Sequence, residues 1–135
     1  LMAQGWRAMA DQRAARQADA RAGLFAFAAA HRTPGEVYLV PTDMAEFRLE
    51  TGAPVLVTFK SHPYKDVEVI EWRARVETAN AFYGEPTCGR LLDVIERYAI
   101  THVVLLPDQL PDGCLELGRE PLYEDGAYRV AEVVR

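Results

Sequence analysis

The chain has 135 residues, half of them apolar, and a net charge of −5. That length supports one domain with a core of its own, and the acidic balance excludes the basic field of a nucleic-acid binder. The longest uncharged apolar run, Gly23 to Ala30, falls far short of the ~20 residues that span a bilayer. No basic segment followed by an apolar stretch marks a signal peptide. The chain opens on Leu1-Met2, already in helical sequence, as expected of a piece cut from something longer.

Residues 1–31 are rich in Ala, carry interleaved Arg and Asp, and contain no Pro, which predicts a leading helix. Its last third, "LFAFAAAH", is the part able to dock on a core. Pro34 ends it, because Pro cannot continue a helix and disfavours helical geometry just before itself. "EVYLVP" is the first predicted strand. Asp43-Met44-Ala45-Glu46 has capping-box spacing, so a helical turn is expected to open there and carry Phe47 and Arg48. Thr51-Gly52-Ala53 is a turn, and "PVLVTF" is a second strand whose lack of alternation implies burial on both faces.

"KSHPYK" is a loop. Asp66 is placed to cap a helix from Val67 to about Tyr83, with Val69, Trp72, Val76, Ala79 and Tyr83 as its core stripe. Gly84-Glu85-Pro86 breaks that helix. Thr87 caps the next, which has Leu91, Leu92, Ile95, Tyr98 and Ala99 on one face. "HVVLLP" is a third buried strand, and "CLEL" and "PLYE" are weaker ones. Asp125-Gly126 turns a hairpin into "AYRVAEVV", which alternates as a half-buried strand does.

This order predicts a single α/β domain over residues 1–135. The expected fold is a three-layer α/β/α sandwich, with a mostly parallel central sheet and an antiparallel C-terminal hairpin at its edge. In such a sheet the crevice lies beyond the carboxyl ends of the parallel strands. Arg48, Lys60, Lys65, Arg73 and Arg75 fall on or near those connections. Arg48, Lys60, Arg73 and Arg75 are therefore the candidate anion-binding residues, with arginine supplying bidentate geometry for a phosphate or carboxylate. Glu46, Glu50, Glu68 and Glu71 are close enough in sequence to absorb the same charges as ordinary ion pairs.

No catalytic group is expected. Ser61 is the only serine and adjoins His62, but neighbours on an extended chain point apart and no G-x-S-x-G surrounds them. His31, His62 and His102 have no metal spacing. No glycine-rich phosphate loop occurs, and no cofactor is expected. Cys88 opens a helix but has no base nearby in sequence. Cys88 and Cys114 fit no Cys-x-x-Cys motif; outside the cytoplasm they are able to pair, and otherwise they are two small buried thiols.

The block from Leu24 to Val76 is distinctive. Its helix ends in Thr33-Pro34 before a strand; Phe47-Arg48 follows, then a Thr51-Gly52 turn, then a strand closing on Phe59-Lys60-Ser61, then a helix bearing Glu71-Trp72 and Arg75. With the late "YEDGAYRV", it resembles the soluble C-terminal domain of bacterial polytopic membrane proteins of the GT-C glycosyltransferase type and their uncharacterised relatives. That family's usual arginine after the Thr-Gly turn is Ala53 here.

The resemblance implies a membrane-attached parent, with this domain on its extracytoplasmic face and the leading helix running on from a membrane span. The parent's catalytic acidic residues would lie in its membrane part. The domain itself is then a non-catalytic accessory module. Its partners would be the membrane portion of the same polypeptide and an anionic lipid-linked or sugar-phosphate ligand. The alternative is a free-standing α/β enzyme or small-molecule binder using the same sheet edge.

Overall fold

The structure, a computed structural model, describes residues 20–58, 66–109, 114, 116–118 and 120–134. In chain order these form α1 over residues 20–30, β1 (Tyr38–Leu39), α2 (Phe47–Thr51) and α3 (Asp66–Gly84). Then come α4 (Cys88–Tyr98), β2 (His102–Leu105), β3 (Tyr123–Glu124) and β4 (Arg129–Glu132).

The sheet corrects the expected architecture. Its strand order is β1-β2-β4-β3. Only β1 and β2 run parallel; β2 with β4, and β4 with β3, are antiparallel. The sheet is small and mixed, and no three-layer sandwich around a mostly parallel sheet forms. The physical reason is that an unalternating apolar run reports cover on both faces and carries no information about strand direction. The hairpin at Asp125-Gly126 returns β4 into the middle of the sheet, where Val103 faces Ala131 and Val104 faces Val130. Asp125 fixes that hairpin by accepting from the N–H groups of Ala127 and Tyr128, each at 2.7 Å.

The second expected strand, "PVLVTF", does not form among its described residues, 54–58. Its contact with β1 is a single parallel bridge, Tyr38 with Val55. Tyr38 donates to the Pro54 carbonyl and Leu56 donates to the Tyr38 carbonyl, both at 2.9 Å, and the chain bends at Leu56. The turn before it matches expectation. Gly52 closes α2 at φ 71, a left-handed conformation that favours glycine. The helical turn itself opens later than the Asp43 spacing predicts, with Glu46 at its N-cap and no side-chain cap.

Strand side chains alternate between two apolar cores. Leu39, Val103, Leu105 and Ala131 join Val76, Ala79 and Phe82 of α3 and Leu91, Val94 and Ile95 of α4. Tyr38, Val40, Val104 and Val130 join Leu24 and Ala28 of α1 and Phe47 of α2. The α3 stripe differs in detail from expectation: Phe82 is fully buried, while Trp72 and Tyr83 pack at the margin. On α4, Val94 takes the place expected of Leu92, which is 37% exposed.

Thr87 caps α4 as its sequence implies, accepting from the Arg90 N–H at 3.1 Å. Cys88, in the first turn of α4, is disulfide-bonded to Cys114 across a separation of 26 residues, with their Cα atoms 5.5 Å apart. This resolves the two readings of the cysteines in favour of the pair.

Candidate functional site

The bridge to β1 uses the carbonyl of Pro54 and the N–H of Leu56. In a strand, the backbone groups of the intervening residue point the opposite way. The N–H and C=O of Val55 therefore face out from the sheet edge. Among the described residues nothing pairs with the backbone N–H or C=O of Val55 or of Val57. Val57 is only 3% exposed and Leu56 only 7%. Well-covered backbone groups are ordinarily paired, so this is an uncommon stretch of chain.

A groove of about 290 Å³ runs along this edge, floored by Val55, Leu56 and Val57. One wall is α2, which contributes Arg48. The other is α3, which contributes Glu68, Glu71, Trp72 and Arg75. Those positions follow helical i, i+3, i+4, i+7 spacing and so share one face. Because α2 packs into one core and α3 into the other, the two walls stand on opposite sides of the sheet with the edge between them.

The candidate anion residues divide here. Arg48 and Arg75 meet in this groove, although at the sheet's edge rather than beyond the carboxyl ends of parallel strands. Arg73 stands exposed elsewhere on α3. Lys60 lies outside the described residues, as do Ser61, His62 and Lys65. Arg75 is already engaged. It pairs with Glu71 at 2.5 Å, and its guanidinium carbon lies 5.6 Å from the centre of the Tyr98 ring. Its Nε is buried without a hydrogen-bond partner. Arg48 and Glu68 have no ion-pair partner among the described residues. Among the described residues, two arginines and two glutamates line the groove, a formal balance of zero. The Trp72 indole N–H donates to the Thr58 carbonyl at 3.3 Å, which ties α3 to the edge segment.

Sequence reasoning brought Arg48 and Arg75 to attention but missed the open backbone. The one available signal was Pro54 beside a bend, since Pro belongs at edges.

A second polar group is buried at the start of β2. Glu36, 2% exposed, pairs with Arg32 at 2.5 Å and accepts from the Thr33 N–H at 3.2 Å. His102 is buried and stacks on Tyr38, ring centres 4.7 Å apart. Burial holds the His102 imidazole below its ordinary pKa, opposed by the charges of Glu36 and Glu132. Burial, aided by Glu36 and opposed by Arg32, pushes Tyr38 up to about 12. Glu36 is held by Arg32 and Thr33, and His102 by the Thr101 hydroxyl and the Tyr38 ring, so the group serves as scaffold where β1 meets β2.

Residues 20–79 match a family described as a domain of unknown function, DUF6798. The matched segment runs from α1 into α3 and holds every described residue that lines the groove. It carries no activity, substrate or membrane assignment. No curated protein and no solved structure matches the chain. Among the described residues no helix is long and apolar enough to cross a membrane.

Proposed function

We propose that this chain is a non-catalytic accessory domain on the extracytoplasmic face of a multi-spanning bacterial membrane protein, one of glycosyltransferase type, and that it works as an interaction module. The observation that carries the reading is the Cys88–Cys114 disulfide. Such bonds persist in oxidising compartments and are rare where cytosolic reductants act. The resemblance of the Leu24–Val76 block to domains attached to membrane glycosyltransferases supplies the nature of the parent.

The groove favours an interaction role over a phosphate site. A phosphate site gathers unpaired cations, and here Arg75 is bound to Glu71 while the wall opposite Arg48 adds the carboxylate of Glu68. Arg48 remains the group to which an anionic lipid-linked or sugar-phosphate ligand would bind.

The test is topological. In the full-length parent, with any other reactive cysteines removed, Cys114→Ser leaves Cys88 as a half-buried thiol at the start of α4. A membrane-impermeant maleimide should label it in intact cells whose outer permeability barrier has been opened. Labelling that appears only after the cytoplasmic membrane is broken would place the domain on the other side and overturn the proposal.

A further inference from the structure

The unpaired edge at Val55–Val57 calls for a partner of one particular shape. An open strand edge is a template for strand addition, in which an extended peptide supplies the missing ladder of N–H and C=O groups. We propose that the groove is the docking site of an extended polypeptide segment with alternating charge, added as a strand beside Val55.

Backbone, space and charge argue together. The N–H and C=O of Val55 face outward, because the pairing with Tyr38 is made by Pro54 and Leu56. The groove of about 290 Å³ lies along the same edge rather than over a face of the sheet. It accommodates a few extended residues and has Trp72 on its wall. Successive side chains of an added strand point to opposite faces of the sheet. One set would face α2 and meet Arg48; its neighbours would face α3 and meet Glu68 and Trp72. Arg48 and Glu68 are the two groove charges with no ion-pair partner among the described residues. The fitting segment therefore carries an acidic side chain flanked by basic ones. A uniformly acidic or uniformly basic segment satisfies one wall and is repelled by the other. The proposal concerns the groove alone and does not depend on which side of a membrane the domain occupies.

The experiment uses the full chain with isotopically labelled amides and the synthetic pentapeptide Val-Lys-Glu-Lys-Val. The amide of Val55 should exchange rapidly in the free protein and become protected as the peptide is added. The same peptide methylated on its backbone nitrogens should not bind. All-glutamate and all-lysine versions should bind about tenfold more weakly, and Arg48→Glu should weaken the parent peptide by a similar factor. Val55→Pro removes the outward N–H without touching the bond from Leu56 to Tyr38, and should abolish binding while leaving the thermal midpoint of the fold in place. Should that variant unfold, Arg48→Glu and the methylated peptide decide the matter, since Arg48 is exposed. No protection at Val55 with any peptide would overturn the proposal. So would protection already present in the free monomer, which would assign the edge to the chain's own segments. A dimer that forms without peptide and is lost in Val55→Pro would assign it to a second copy, with the same consequence.

Discussion

A Cβ placed on Gly23 of α1 would stand 2.3 Å from the hydroxyl oxygen of Tyr123 on β3. The Tyr123 ring has little freedom to retreat. It stacks on Phe27, centres 5.2 Å apart, and its hydroxyl donates to Asp125. This contact sets how closely α1 approaches the hairpin, and only glycine permits it.

Gly23→Ala should therefore destabilise the domain, although alanine is the better helix former by about 1 kcal/mol. In a Tyr123→Phe background the nearest remaining ring carbon is 3.5 Å from the added Cβ, an ordinary contact. There the same substitution should stabilise relative to that background. Denaturant unfolding of the four proteins in the cycle reads the change of sign. Destabilisation of equal size in both backgrounds would show that the hydroxyl is not the obstacle.

Tyr83 of α3 reaches across to the sheet. Its buried hydroxyl lies 2.9 Å from the Leu39 carbonyl and 2.7 Å from that of Val104, sharing one proton between them. Tyr83→Phe leaves both carbonyls without that donor and should cost about 1–3 kcal/mol in the same unfolding measurement. A loss below a few tenths would mean that water replaces the phenol.

The Cys88–Cys114 bond closes a separation of 26 residues and ties α4 to the segment before β3. On the chain-entropy model a loop of that size contributes about 3.5 kcal/mol. A reductant, or Cys88→Ala with Cys114→Ala, should lower the denaturation midpoint accordingly. Unchanged midpoints with and without reductant would mean that the bond is dispensable to the fold.

Stability should fall on both sides of neutrality, for separate reasons. Burial lowers the folded-state pKa of His102. The unfolded chain therefore binds a proton that the folded chain refuses, and stability drops as pH falls below the ordinary imidazole value of ~6.5. The loss reaches its full size once pH is below the depressed folded value. For Asp125, burial acts against ionisation, but hydrogen bonds from Tyr123, Tyr128 and Ala127 outweigh it and hold the pKa below 3.8. Its contribution is present above that value and is lost as pH falls below it. Tyr38 is raised to about 12, mainly by burial. Its contribution is fully present below the ordinary tyrosine value of ~10 and is lost as pH rises from there through about 12. His102→Gln should flatten the profile between neutrality and pH ~5 while leaving the alkaline limb. An unaltered acid limb in that variant would remove His102 as its source.

The helices were legible because their signals are local. Thr87 caps α4 through a hydroxyl three residues from the N–H it accepts, and Gly52 ends α2 through its own backbone freedom. The apolar runs around Tyr38 and Val103 likewise announced burial on two faces. Strand direction, by contrast, depends on which distant segment lies alongside. Nothing in "HVVLL" distinguishes a parallel neighbour from β4 returning antiparallel out of a hairpin some twenty residues later. The groove is tertiary for the same reason. Arg48, Val55 and Glu68 share it because α2 and α3 pack into opposite cores on either side of one edge. Sequence by itself thus determined where the helices end and that the strand segments lie under cover on both faces, although the start of α2 and the exact buried stripes of α3 and α4 were settled by packing. Packing decided which strands pair and which backbone groups are left over, because those depend on contacts between residues far apart in the chain.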